Sequence, residues 1–284
     1  MSYHAALIWL FGALFLLYTV YLLWRYLRKR RLEHFLATTP FPEAYRVYLR
    51  KTVHYNLLSD DEREQIERAV LRFVHTKRFE GIGLDVTDEM KTVVAFYACL
   101  MLLHKPGDWF ANLSTVILYA EGFVANRTVD NGGIVTSGAF DLDGESSEDT
   151  VVLSWDDALT EAYRRYPQNL IIHEFAHILD FYNGYADGTP AMASEDIHAL
   201  HHAYDRFLER IESETFNGDY GIFGDYAAEH EAEFFAVSSE RFFQTPQNLH
   251  RAAPKLYGLL SRFYGVDPLR WDVEGRSEDM IKYS

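Results

Sequence analysis

The sequence predicts an α+β fold that is mainly helical, with a small β-sheet and a transmembrane helix near the N-terminus. Three observations support this prediction. A run of twenty residues, Ala5 to Trp24, contains no charged side chain. Several later segments repeat their apolar residues at helical spacing, and one of them carries two histidines four residues apart. Three short segments rich in β-branched residues, separated by turns rich in Gly, Asn and Asp, are typical of strands.

The uncharged run is long enough to span a membrane. At about 1.5 Å per residue, a helix of this length crosses the ~30 Å hydrocarbon core of a bilayer. The basic cluster Arg25 to Arg31 follows the run, whereas a cleaved signal peptide has its positive charge in front. The positive-inside rule therefore predicts a single-pass protein of the inner, cytoplasmic membrane, anchored through residues 5–24, whose C-terminal body faces the cytoplasm. A buried helix of the globular body is the alternative interpretation.

Composition and charge describe a well-packed globular body that does not bind nucleic acid. The chain has 284 residues, of which 48% are hydrophobic, and a formal net charge of −15. Residues 1–31 hold five of the 27 basic residues and none of the 42 acidic ones, so the remainder is more acidic still. Such a body repels the phosphates of DNA and RNA. The single cysteine, Cys99, rules out an internal disulfide.

The chain divides into three predicted parts: an anchor with its basic flank at 1–31, a linker at 32–56 and a globular domain at 57–284. Two prolines in the linker, Pro40 and Pro42, prevent one continuous helix. Ser59 and Glu62 form a capping box that opens the first helix of the domain, which runs to about Lys77. Further helices are predicted at 88–103, 156–165 and 195–214, strands at 114–120, 133–137 and 151–155, and an acidic loop at 141–149.

The segment from Asn169 to Asp180 carries the chemistry. It contains His-Glu-x-x-His, and the i, i+4 spacing places His173 and His177 one helical turn apart, where two imidazoles can bind one metal ion. Glu174 would lie beside the ion and take a proton from metal-bound water, as a zinc hydrolase requires. Because this helix is apolar almost all round, it is buried, and its polar side chains need partners or an ion. Hydrogen-bonded core histidines are the alternative.

A hydrolytic zinc site takes three protein ligands and leaves a fourth position for water. Asn183 stands where a metzincin would have its third histidine, which excludes that subclass. Two later glutamates, Glu229 and Glu233, lie one turn apart in a predicted helix, and helical spacing cannot choose between them. The apolar surroundings of Glu233 favour it, because an ionised carboxylate there needs a partner or a metal.

Other polar residues have weaker patterns. Asp180, three residues after His177, and Glu240, seven after Glu233, are candidate acceptors for the remaining ring N–H of a metal-bound histidine. Ion pairs on a helix surface explain them equally well. Three histidines of a charged helix are better interpreted as solvated than as a second metal site: His198, His201 and His202.

The residues around both motifs resemble the Mlc titration factor A family of zinc metallopeptidases, which are gluzincins. The resemblance lies in Asn169 to Asp180, in Tyr226-Ala-Ala and in Glu231-Ala-Glu233-Phe-Phe-Ala-Val, and it covers about 56–269. Tyr226 together with the glutamate motif is also similar to the catalytic domain of anthrax lethal factor.

This resemblance implies a zincin-like metallopeptidase domain with one Zn²⁺ per chain, held by His173, His177 and Glu233, with Glu174 as general base. It also implies that Tyr226, placed two turns before Glu233 on the same helical face, faces the developing oxyanion. The implied activity is that of an aminopeptidase-like zinc peptidase acting on peptide or protein substrates.

The same resemblance suggests an alternative function. A regulatory protein of this fold would bind a transcriptional repressor or another cytoplasmic partner with little turnover. The soluble members of the family lack the N-terminal anchor, which leaves partner and substrate open. An intact general base argues against a purely structural zinc site. A membrane-tethered scaffold without metal is a third hypothesis.

Overall fold

A computed structural model describes residues 3–107, 109–120, 149–164, 166–183, 188–212 and 219–273. These residues form α-helices, short 3-10 helices and one three-stranded sheet, which confirms the predicted α+β, mainly helical class. The chain separates into two compact units, Met1–Pro42 and Glu43–Ser284.

The first unit is one long helix, α1 (Tyr3–Thr38). Its segment Trp9–Thr38 is long and apolar enough to cross a membrane by length and composition, and none of its most apolar stretch is buried in protein. The large apolar side chains along it, such as Phe15, are exposed. The helix ends just before Pro40, as the missing N–H of proline requires. It therefore extends seven residues past the predicted anchor boundary at residue 31.

The second unit begins with α2 (Glu43–Leu49) and a 3-10 turn at Tyr55–Leu57. Arg46 forms a two-pronged ion pair with Glu67, Nε to Oε1 at 2.7 Å and Nη2 to Oε2 at 2.8 Å. The hydroxyl of Tyr55 donates to the same carboxylate at 2.6 Å. Most of the segment predicted as a linker, 32–56, thus packs in the folded unit from Glu43 onward.

Two scaffold helices follow. The helix α3 (Asp60–Thr76) starts at the predicted capping box, in which Ser59 and Glu62 bond reciprocally. The helix α4 (Asp88–Leu100) has almost every side chain buried and ends three residues before its predicted boundary. Both helices start where the sequence predicts, because a capping residue bonds to backbone groups only a few residues away.

The sheet consists of β1 (Arg78–Ile82), β2 (Thr115–Tyr119) and β3 (Thr150–Ser154), all parallel in the order β1-β2-β3. Two predicted strands are confirmed. The predicted strand at 133–137 and nearly all of the acidic loop at 141–149 lie outside the described residues. The strand β1 was not predicted, because its sequence Arg-Phe-Glu-Gly-Ile carries residues that strands disfavour.

The remaining helices surround the centre of the unit. The strand β3 leads directly into α5 (Trp155–Tyr163), and α6 (Leu170–Asp180) follows with Ile171, Ile172, Phe175 and Ala176 fully buried. A longer helix, α7 (Ser194–Glu212), precedes α8 (Glu231–Gln244), which is buried along nearly its whole length. The last three helices are α9 (Pro246–Ala252), α10 (Pro254–Tyr264) and α11 (Leu269–Val273). The packing of α6 against β3, α4 and α8 places the histidine helix at the core of the unit.

Candidate metal centre

The histidine helix α6 starts at Asn169, whose side-chain oxygen accepts the N–H of Ile172 at 3.1 Å. This cap sets the helix register, and the spacing of four residues then places His173 and His177 on one face. Their Nε2 atoms lie 3.2 Å apart. Both imidazoles therefore point at one small volume, as the motif predicts.

The third side chain comes from α8. Glu233 is only 1% exposed, and its Oε2 lies 3.1 Å from Nε2 of His173 while its Oε1 lies 3.4 Å from Nε2 of His177. One nitrogen of each histidine and one oxygen of the glutamate lie within 4.8 Å of one another. These three side chains form a candidate metal triad.

The structure separates Glu229 from Glu233. The predicted single helix through both is wrong, because Tyr226 belongs to a 3-10 helix at Asp225–Ala228 and α8 begins only at Glu231. Glu229 ends the 3-10 helix, so the two glutamates do not share a helical face. For the same reason Tyr226 does not stand two turns before Glu233 on one helix.

The donor chemistry of the triad fits a cation. His173 offers Nδ1 to Oε1 of Glu240 at 2.9 Å, so this nitrogen carries a proton and Nε2 faces the triad. Burial lowers the pKa of His173, but the flanking carboxylates of Glu233 and Glu240 raise it above the ordinary value. A metal ion would compete with protons for the two imidazoles and the carboxylate. The residues present thus fit a divalent metal.

Glu240 connects the ring of His173 to the start of its helix. Its second oxygen, Oε2, accepts the backbone N–H of Asn169 at 2.7 Å. Glu161 of α5 accepts the next N–H, that of Leu170, at 2.5 Å. Two carboxylates from neighbouring helices therefore hold the N-terminus of α6. Sequence reasoning missed Glu161, because no spacing relates it to the motif.

Glu174 is 3% exposed and stands next to His173 in α6. Burial raises the pKa of its carboxyl well above the ordinary value; the charge of His173 opposes this, and Glu233 and Glu240 reinforce it. A carboxylate with such an affinity for protons can exchange one with a reacting group.

Tyr226 lies at the same site although it belongs to a different element. Its ring centroid is 5.9 Å from that of His173. Burial raises the pKa of the hydroxyl above its usual range, and the charge of Glu233 and a hydrogen bond to that carboxylate add to the effect. Tyr226 is therefore protonated at neutral pH and can donate a hydrogen bond.

Asp180 ends the histidine helix and is fully buried. Its Oδ2 accepts the backbone N–H of Gly188 at 2.8 Å. Gly188 has a φ of +83° and lies so close to the start of α8 that a Cβ there would sit 2.4 Å from the carbonyl carbon of Glu231. This contact joins the end of α6 to the start of α8. The sequence pattern predicts that Asp180 accepts a histidine ring N–H and does not predict this structural role.

The three histidines of α7 lie outside the triad. His201 pairs with Glu231 at 2.7 Å, and His202 lies 4.0 Å from Asp205. Side chains of both are at least 39% exposed, in agreement with the solvated interpretation.

Comparison with known proteins agrees with this geometry. The family model described as glucose-regulated metallo-peptidase M90 matches residues 24–265. Proteins named Mlc titration factor A from Yersinia pestis (strain Pestoides F) and Yersinia pseudotuberculosis serotype O:1b (strain IP 31758) are each 34% identical over 227 residues, which cover 76% of this chain and 83% of each relative. The resemblance predicted from the two motifs is confirmed. The chain therefore belongs to the glucose-regulated metallo-peptidase M90 family.

Proposed function

We propose that this chain is a zinc-dependent peptidase. The observation that supports the proposal is the convergence of His173, His177 and Glu233 beside the buried Glu174. Two imidazoles and one carboxylate are the ligand set of hydrolytic zinc sites, which keep a fourth position for water or substrate. One Zn²⁺ per chain follows from one such triad in the described part of the chain.

When bound, zinc supplies a Lewis acid that polarises the substrate carbonyl and lowers the pKa of water to about 7. Glu174 accepts the proton of the attacking water and returns it to the leaving amine. Its buried position suits this task, because a raised pKa makes the carboxylate a stronger base. Tyr226 donates a hydrogen bond to the oxyanion that develops as the peptide carbonyl is attacked.

Glu240 and Asp180 support the site without contacting substrate. Glu240 fixes the tautomer and the orientation of His173 through its hydrogen bond to Nδ1. Asp180 holds the Gly188 backbone against the start of the helix that carries Glu233. Glu240 thus positions the proposed ligand His173, and Asp180 positions the helix that carries the proposed ligand Glu233.

The helix α1 anchors the peptidase in the inner, cytoplasmic membrane in this proposal. The basic cluster Arg25 to Arg31 follows the apolar part of α1, so the positive-inside rule places the second unit in the cytoplasm. The domain division that we propose is an anchor at 1–31, a segment at 32–56 whose residues from Glu43 onward pack with the domain, and a peptidase domain at 57–284.

The proposed substrates are peptides, cleaved in an aminopeptidase-like manner. The buried carboxyls at the site, those of Glu174 and Glu233, favour a positively charged amino terminus over a carboxylate. The strand β3, which is at one end of the sheet in the described residues, could pair with an extended peptide.

The name of the Yersinia relatives, titration factor, favours a second candidate function. In that case the second unit binds a transcriptional regulator or another cytoplasmic protein and turns over little substrate. Zinc would then hold α6 and α8 together.

Peptide turnover by the full chain in detergent distinguishes the two functions. We expect cleavage of a peptide library that a chelator abolishes, and a zinc content near one per chain by elemental analysis. Glu174→Gln should lower turnover by roughly 10²–10⁴-fold while zinc content is unchanged, because it removes only the general base. Glu64→Gln, at an exposed site of α3, is the matched control. Equal turnover by Glu174→Gln and the unmodified chain would refute the peptidase, and bound zinc without turnover would favour the regulator.

A further inference from the structure

His230 is the N-cap of α8, the helix that carries Glu233. Its Nδ1 accepts the backbone N–H of Glu233 at 3.3 Å. An imidazole nitrogen that accepts a hydrogen bond has no proton, so the proton of the neutral ring lies on Nε2. The helix start therefore holds His230 as an Nε2–H donor.

This donor lies beside the candidate metal triad. Nε2 of His230 is 3.8 Å from Oε1 of Glu233, the same oxygen that lies 3.4 Å from Nε2 of His177. The His230 side chain is 55% exposed, whereas that of His177 is 22% exposed and that of Glu233 is 1% exposed. The ring of His230 thus forms part of the solvent-facing edge of the site.

The rings of Tyr226 and His230 lie beside different members of the triad. The ring of Tyr226 lies beside the ring of His173, and Oε2 of Glu233 faces that histidine. His230 is next to the other oxygen, on the side of His177. The site therefore offers a second donor beside the triad, next to Oε1 of Glu233.

We propose that His230 binds the peptide substrate by donating its Nε2–H to a backbone carbonyl oxygen. This inference rests on the proposed peptidase function and adds a substrate-binding residue to it. A neutral carbonyl is the acceptor that fits, because the carboxylate of Glu233, whose Oε1 lies 3.8 Å from Nε2, disfavours an anionic group. The hydrogen bond orients the peptide over His173, His177 and Glu233 before the reaction.

The capping role and the substrate role of His230 can be separated by substitution. Asparagine is among the best N-cap residues, so His230→Asn keeps an acceptor for the Glu233 N–H. Its side chain is too short to place a donor where Nε2 lies. His230→Ala removes both the cap and the donor, so we expect it to lower the melting temperature of the protein as well.

The experiment uses the full chain in detergent and three measurements on His230→Asn. Zinc affinity from chelator competition should equal that of the unmodified chain. KM for a peptide substrate should rise about three- to tenfold with kcat unchanged, which is the loss expected for one neutral hydrogen bond in uniform binding. The dissociation constant of the same peptide, measured by calorimetry on the zinc-loaded Glu174→Gln protein, should rise by the same factor in the His230→Asn, Glu174→Gln double variant.

Two outcomes would overturn the proposal. If KM and the peptide dissociation constant stay unchanged in His230→Asn, the ring serves only as a cap. If His230→Asn loses zinc affinity, His230 is a fourth protein ligand rather than a substrate-binding residue. The calorimetric comparison requires no turnover, so failure of the peptidase function itself would appear separately, as an unmodified chain that binds peptide but does not cleave it.

Discussion

His173 donates a hydrogen bond from Nδ1 to Oε1 of Glu240 at 2.9 Å, across the contact between the two helices that carry the candidate metal triad. The same carboxylate accepts the backbone N–H of Asn169. Arg241 and Gln244, on the same helix as Glu240, donate to the carbonyls of Pro167 and Gln168. One stretch of α8 therefore fixes both the imidazole and the segment that leads into the histidine helix.

We expect Glu240→Gln to weaken zinc binding by roughly 10- to 100-fold, the usual effect of losing a partner of a metal-bound histidine. Glutamine offers one acceptor oxygen, so it cannot serve both the His173 ring and the Asn169 N–H. The measurement is chelator competition on the full chain, with the exposed Glu64→Gln as control. Zinc affinity equal to that of the control would show that the Glu240 contact does not support the metal.

We expect Tyr226→Phe to lower kcat by roughly 10²–10³-fold, or about 3 kcal/mol of transition-state stabilisation. The substitution removes one hydroxyl and leaves the ring against His173. KM should change little, since the hydrogen bond to the oxyanion forms only as that charge develops. Steady-state kinetics measure this, with Tyr166→Phe as a surface control. If the kcat of Tyr226→Phe is close to that of the unmodified chain, a group other than Tyr226 stabilises the oxyanion.

We expect Gly188→Ala to destabilise the protein by about 2–4 kcal/mol. Two costs add: a φ of +83° that alanine disfavours, and a Cβ placed 2.4 Å from the carbonyl carbon of Glu231 and 2.7 Å from the nitrogen of Ala232. Gly83→Ala is the matched control, because Gly83 has a φ of +73° but nothing lies within 4 Å of its added Cβ. Thermal unfolding of both variants separates the contact from the backbone strain, and equal melting temperatures would contradict the close approach.

We expect Glu161 to make stability depend on pH. Burial raises its pKa to about 7 from 4.5; the Leu170 N–H opposes this shift, and Glu240 and Asp157 add to it. Between pH 4.5 and pH 7, the folded state binds a proton at Glu161 that the unfolded state has released. The contribution of Glu161 to the free energy of unfolding is therefore fully present below pH 4.5 and is lost as the pH rises to 7. Each pKa unit corresponds to about 1.4 kcal/mol.

Glu161→Gln tests this dependence, because glutamine still accepts the Leu170 N–H but does not titrate. In chelator-treated protein, the free energy of unfolding of the unmodified chain minus that of the variant should decrease between pH 5 and pH 8. Denaturant unfolding at several pH values measures it, again with Glu64→Gln as control. If this difference in unfolding free energy does not change with pH, the raised pKa of Glu161 is contradicted.

Local sequence patterns determined much of this protein. The capping residues Ser59 and Asn169 predict where α3 and α6 start, because a cap bonds to backbone only three residues away. The pairing of His173 with His177 follows from helical periodicity alone. The uncharged run at 5–24 predicts a membrane-spanning length because helix rise per residue is constant.

Contacts between distant elements could not be predicted in this way. The strand β1 forms because β2 pairs with it, although its own residues disfavour a strand. The break between Tyr226 and Glu233 arises because His230 caps a new helix at Glu231, while a continuous helix has nearly the same apolar pattern.

The sequence by itself determined that His173 and His177 share one helix face with Glu174 beside them, and that the N-terminal helix is apolar and of membrane-spanning length, since each depends on spacing within one helix. Only the tertiary structure decided that Glu233 rather than Glu229 completes the triad, that Glu240 holds His173 and that Asp180 holds Gly188. The physical reason is that Glu233 and Glu240 meet His173 only through the packing of α6 against α8, and that the contact of Asp180 depends on how the backbone of Gly188 lies against the start of α8.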